Sequence, residues 1–131
     1  MTKEEKQLLL KDLCARLPHG VKVKYLYWDE DKGCEYPVSM ILDDINSDGY
    51  IRFHGDIAEG EGRGMITQYL PYLRPMSSMT MEEEIEYERC FESDDTTAAK
   101  NLIDFYNAKH LDYRGLIPMG LALEAPKDMY K

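Results

Sequence analysis

The residues of this chain that could do chemistry are few and widely spaced. Asp44-x-Asn46-x-Asp48-Gly49 matches the first half of a calcium loop, in which oxygen ligands alternate and a glycine makes the sharp bend. The twelfth position, where a bidentate glutamate is needed, is Gly55, and the flanks alternate as strands do. Asp, Asn, Ser and Gly also make ordinary hairpin turns, so the segment is predicted to be a turn. Gly60-x-Gly62-x-Gly64 lacks the Lys and Ser/Thr of a phosphate-binding loop and the spacing of a dinucleotide fingerprint. Glu59 and Glu61 would repel phosphate, against Arg63 alone. His19, His54 and His110 are not at metal-binding spacing. His54-x-Asp56 and His110-x-Asp112 pair an imidazole with a carboxylate, but no serine or cysteine stands beside either as a nucleophile. No catalytic residue, metal or cofactor is predicted.

Residue types suited to holding a partner are better represented. Ten tyrosines occur, and two segments combine them with arginine: Tyr72-Leu73-Arg74-Pro75-Met76 and Tyr113-Arg114-Gly115. Such pairs recur at the centres of protein interfaces. Tyrosines also fill small cores with their hydroxyls at the edge, the plainer reading. Between Thr80 and Asp95 lie eight carboxylates opposed by Arg89 alone, which is either a solvated helix face or a docking surface for a basic protein. The candidate partner-binding residues are therefore Glu83, Glu86 and Glu92 on the acidic stretch, with Tyr72, Arg74, Tyr113 and Arg114.

Charge narrows the function further. Sixteen Lys and Arg against 25 Asp and Glu give a net charge of −9. Direct nucleic-acid binding is not expected, because it draws on clustered basic residues. No apolar run reaches the roughly 18 residues of a membrane helix, and the opening Met-Thr-Lys-Glu-Glu does not read as a secretory signal. Cys14, Cys34 and Cys90 form neither a disulfide framework nor a zinc site, which points to the cytoplasm. Cys14 and Cys90 are expected inside helices as small buried thiols, and Cys34 in a turn.

These residues are positioned by a helix, short strands, two more helices and an extended tail. Thr2 with Glu5 forms a capping box, followed by the stripe Leu10, Leu13, Cys14 and Leu17, widened by Leu9 and stopped by Pro18. Leu10, Leu13 and Leu17 are expected to be buried. Val21, Val23, Tyr25 and Tyr27 alternate with Lys22 and Lys24 as in a half-buried strand. Asp31-Lys32-Gly33 is a turn. Tyr36 to Leu42 is a second strand, with Pro37 marking an edge or a strand start. Asn46 to Gly49 is a turn and Tyr50 to His54 a third strand, with Ile51 and Phe53 on one face. Gly55 to Gly64 reads as a mobile loop, Met65 to Tyr69 as a short fourth strand and Leu70 to Ser78 as irregular. Thr80 and Glu83 cap a second helix. Asp95, Thr96 or Thr97 caps a third, with a stripe of Ala99, Leu102, Ile103 and Tyr106 plus Phe105, ending near His110. The tail from Leu111 is apolar enough to pack on the core but broken by Gly115, Pro118 and Gly120.

Three stretches carry a resemblance: MTKEEKQLLLKDLCARLPHGVKV at the start, PYLRPMSSMT over Pro71 to Thr80, and DYRGLIPMGLALEAP over Asp112 to Pro126. Together they resemble a family of small hypothetical proteins of Bacteroidetes bacteria and their phages and prophages. The resemblance implies a cytoplasmic, phage-derived accessory protein and brings no catalytic residue with it.

The expected architecture is a single α+β domain. A small antiparallel meander of three or four strands, curled toward a barrel, packs with an N-terminal helix and two C-terminal helices. The expected function is a non-enzymatic protein-interaction or modulator module. The alternative is a small enzyme or ligand-binding protein whose site is assembled from histidines and carboxylates.

Overall fold

A computed structural model describes residues 1–55, 61–92 and 94–130. The fold is α+β: a half-barrel antiparallel sheet with N-terminal and C-terminal helices. Helix α1 spans Lys3–Arg16, and its Thr2–Glu5 capping box is formed in both directions. Strands β1 (Lys22–Asp29), β2 (Cys34–Ile45), β3 (Tyr50–Gly55) and β4 (Glu61–Met65) follow in spatial order, each antiparallel to the next. A register shift between Leu42 and Asp44 bulges β2 opposite β3, which bends the sheet. Short strands β5 (Tyr72–Leu73) and β6 (Leu123–Glu124) pair in parallel as a second, two-stranded sheet. Helices α2 (Met81–Arg89) and α3 (Asp95–Ala108) complete the chain's regular structure.

The main core lies between α1, the concave sheet and the tail. Leu9, Leu13, Val21, Val23, Leu42, Ile51, Phe53, Ile66, Leu73, Leu116 and Leu121 are buried in it. A satellite core of Cys90, Phe105 and Leu111 holds α2 and α3 together. The tail packs as expected. The Asp112 carboxylate accepts from the Leu116 and Ile117 amides, folding the chain back so that Leu116, Leu121 and Ala122 are buried.

Several expectations are corrected. The buried face of α1 is Leu9, Asp12, Leu13 and Arg16, while Leu10 and Leu17 are half-buried and Cys14 is exposed. A charged pair on the inner face, Asp12 with Arg16, rotates the helix away from the purely apolar stripe. Both side chains are fully buried, with Arg16 Nε 2.8 Å from Asp12 Oδ2. Arg16 Nη2 also donates to the Leu111 carbonyl at 2.6 Å, and Arg114 Nε to Asp12 Oδ1 at 3.2 Å. In α3, Ala99 and Ile103 are exposed, and the buried side runs through Ala98 and Phe105 with Leu102 and Tyr106 half-buried. Asp94 rather than Asp95, Thr96 or Thr97 supplies the cap.

The glycine-rich stretch is likewise not all loop. Residues 56–60 lie outside the described residues, but Glu61–Met65 is β4, and the turn of the chain falls at Ile66 to Tyr69 where a strand was expected. Gly62 stands opposite Phe53 and Gly64 opposite Ile51. A Cβ at Gly62 would overlap the Phe53 ring, and one at Gly64 the Tyr69 ring. The glycines thus let aromatic rings lie on the sheet, where Tyr25, Phe53 and Tyr69 cluster with centroids 5.1–5.8 Å apart. Leu70 to Ser78, expected to be irregular, contains β5 and a 3-10 turn at Met76–Ser78.

Two substitutions test the packing of α1. Leu13→Ala should cost about 2–5 kcal/mol in urea unfolding, while Cys14→Ala should stay within about 0.5 kcal/mol. Asp12→Ala, which strands two guanidinium groups, should cost about 3–5 kcal/mol by the same measurement.

Candidate docking surface

The ends of β1 and β2 carry an exposed apolar region. Strand β2 pairs with β1 from Cys34 to Ile41, but with β3 only from Met40 onward. The outer halves of β1 and β2 therefore form a two-stranded arm beyond the described part of β3. Pro37 lies on this arm opposite Leu26, near the start of β2, where a strand tolerates proline. At the tip, Asp29 Oδ1 accepts from the Asp31 and Lys32 amides, and Gly33, at φ 64°, closes the turn.

The core ends before the arm does. Val21 and Val23 are fully buried, yet Leu26, Tyr27, Trp28 and Tyr36 are 49%, 45%, 54% and 39% exposed. Tyr27 faces Tyr36 across the strands, with ring centroids 5.5 Å apart. Leu26 and Trp28, the chain's single tryptophan, occupy the opposite face.

The outer edge of β1 is covered only at its base. The Lys22 amide donates to the Tyr130 hydroxyl at 2.8 Å, and the Lys24 amide to the Leu70 carbonyl at 3.0 Å. Main-chain groups alternate in direction along a strand, so those of Leu26 and Trp28 point to this same edge. Among the described residues they meet no partner there. Where the Leu70 segment leaves the edge, a cavity of about 480 Å³ opens, lined by Tyr25, Leu26, Tyr69, Leu70 and Leu123.

A second concave region surrounds Arg74. Its guanidinium grips the Glu83 carboxylate through both nitrogens, at 2.6 and 2.7 Å, and also donates to the Ser78 and Lys109 carbonyls. Glu83 Oε1 accepts in addition from the Thr80 amide, closing the second capping box. The Arg74 hydrogen bonds hold the Glu83 carboxyl down at about 2. This carboxylate is ionised and fully engaged, so it offers no general base.

Two of the three histidines do converge. His19 and His110 line one cavity of about 360 Å³ with Arg74 and Glu83. His110 is buried, stacked on Tyr130 with centroids 3.7 Å apart, and burial followed by the nearby Arg16 charge lowers its pKa to about 4. His54 pairs with Asp43 on the sheet, and Asp56, its expected partner, lies outside the described residues. His110 does not use Asp112, whose oxygens are taken by the Leu116 and Ile117 amides. Asp44 and Ile45 belong to β2, and the hairpin turn is Asn46 to Gly49, in which Asn46 Oδ1 accepts from the Asp48 and Tyr50 amides. Among the described residues, no group of three or more His, Cys, Asp or Glu side chains is disposed to hold a metal.

The residues singled out in the sequence fall in different places. Arg74 and Glu83 meet in one ion pair, and Glu83 is only 8% exposed rather than part of a solvated face. Its burial follows from serving the cap and Arg74 together. Glu86 and Glu92 remain exposed, with Glu86 3.7 Å from Lys109. Tyr72 is half-buried in β5, and its carbonyl accepts from Tyr130. Tyr113 and Arg114 belong to the interior network of Asp12 and Arg16, with the Arg114 and Arg16 guanidinium groups 4.9 and 5.4 Å from the Tyr113 ring. Sequence reading missed Leu26, Trp28 and Tyr36 as a surface. The available signal was Tyr25-Leu26-Tyr27-Trp28, apolar on both faces of a strand that should have had one polar face.

No family model matches the chain, and no curated protein and no solved structure is detectably similar to it. Among the described residues, no helix is long and apolar enough to cross a membrane.

Acid unfolding should report the buried ion pair. The folded Glu83 carboxyl lies below its unfolded value, so its contribution is complete above about pH 4.5 and lost as pH falls to about 2. Linkage makes this on the order of 3 kcal/mol. The stability gap between the wild type and Glu83→Gln, from urea unfolding, should be largest at neutral pH and shrink through that window. His110, neutral in the fold, should add acid sensitivity at higher pH, as its contribution falls away between pH 6.5 and about 4.

Proposed function

We propose that the chain is a non-enzymatic protein-interaction module that docks through the β1–β2 arm. The observation that carries this is the cluster of exposed Leu26, Tyr27, Trp28 and Tyr36 on an arm whose edge amides are open. Apolar patches of this kind mark interaction sites, and tyrosine and tryptophan are the residues that anchor them. The exposed carboxylates of α2 and its following turn, Glu86 and Glu92 among them, would steer a basic partner, with Met81, Ile85 and Phe91 exposed on the same segment. The arm adds Tyr27, Trp28 and Tyr36 as anchors beside open edge groups. Ligand binding in the cavity of His19 and His110 is less well supported, because its carboxylate is committed to Arg74. We place the module in the cytoplasm as a phage-derived accessory protein. Free Cys14 and Cys34, both exposed, suit a reducing compartment.

A photo-crosslinking residue at Trp28, introduced in the native host, should give discrete protein adducts that Leu26→Lys abolishes. The same residue at exposed Lys100 on α3 is the control. Equal adduct patterns from the two positions would overturn the arm as the docking surface.

A further inference from the structure

We infer that the arm's partner is a second copy of this chain, joined edge to edge through β1. This rests on the arm being the docking surface. An unguarded strand edge is a template for pairing, and proteins normally protect one with lysine, proline or a bulge. The outer half of β1 has none of these along Tyr25 to Trp28.

The pattern of open groups selects one register. Among the described residues, Leu26 and Trp28 present both their main-chain groups free to the edge, whereas the Lys24 amide is held by Leu70 and the Lys22 amide by Tyr130. An antiparallel two-fold pairing must place open residues opposite open residues. Leu26 opposite the partner's Leu26 would need Lys24 to pair as well, and its amide is taken. Trp28 opposite the partner's Trp28 would set Leu26 against the partner's Glu30, beyond the end of β1. Leu26 opposite the partner's Trp28 satisfies both open residues on each copy, and Tyr27 falls on the two-fold axis.

Side chains agree with that register. Tyr27 already contacts Tyr36, so the axis extends the pair into a row of four tyrosines on one face. Leu26 meets the partner's Trp28 on the other. Between Lys22 and Tyr36 the arm carries three lysines and four carboxylates, so it is nearly neutral in a chain of net charge −9. Two acidic copies approach there with least repulsion, and with least of all at moderate salt.

Sedimentation velocity over two decades of protein concentration tests the association. The wild type should shift to twice its monomer mass, and Leu26→Lys should remain monomeric with an unchanged far-UV spectrum and urea midpoint. Register is read by mild oxidation in a Cys14→Ser/Cys34→Ser background. Tyr27→Cys, self-facing in a close non-hydrogen-bonded pair, should cross-link at least tenfold more than Leu26→Cys, which faces position 28. A wild type that stays monomeric throughout overturns the second copy as partner, while the photo-crosslinking at Trp28 separately decides whether the arm docks at all. A dimer that survives Leu26→Lys, or equal cross-linking of the two cysteine variants, also overturns it.

Discussion

The guanidinium of Arg16 has no access to water, and the architecture around it follows from what that requires. A buried cation is tolerated only when it is paired and hydrogen-bonded. Asp12, one helical turn earlier, supplies the charge, the Leu111 carbonyl a further acceptor, and the Tyr113 ring a face at 5.4 Å. Asp12 in turn holds Arg114. One carboxylate on the first helix thus anchors the segment that follows the last helix, about a hundred residues away. Apolar burial of Leu9 and Leu13 alone would leave the angle of α1 on the sheet loosely determined, since hydrophobic contact is not directional.

A second ion pair plays the matching role at the other end. Arg74 and Glu83 join the chain leaving β5 to the first turn of α2, and Arg74 adds a bond to Lys109 at the end of α3. The main-chain bonds between Arg74 and the segment His110 to Asp112 run alongside it. His110 takes a left-handed conformation, φ 59°, to make that passage, with its carbonyl accepting from the Arg74 amide. The two helices consequently need only a small core of their own, which explains how α2 survives with exposed Met81 and Ile85.

With helices and tail occupied in this way, one part of the sheet is left uncovered. The helices and the tail cover the base of β1 and the concave face, and the arm lies outside both. Its aromatic residues resemble those of the core in type but not in surroundings. Tyr25 joins Phe53 and Tyr69, whereas Tyr27, two residues on, meets Tyr36 on the neighbouring strand. The transition from core to exposed surface takes place within one strand, between Tyr25 and Leu26.

What the sequence determined by itself is local. Both capping boxes, the turn at Asn46–Gly49 and the alternation of Val21 to Tyr27 involve residues a few positions apart, whose preferences act before any tertiary contact. The small antiparallel meander with flanking helices follows from those short turns. Tertiary structure decided the rest, because burial of a charge or exposure of an aromatic depends on distant groups. Asp12 and Arg16, four apart on a helix, read as an ordinary surface pair until Leu111 and Arg114 close over them. Glu83 belongs to an acidic run in sequence, and only Arg74 takes it out of solvent. Gly62 and Gly64 look like loop residues until the rings of Phe53 and Tyr69 need the space. Leu26 and Trp28 become a surface because the segments that meet the edge of β1 do so at its base, a relation that no single segment contains.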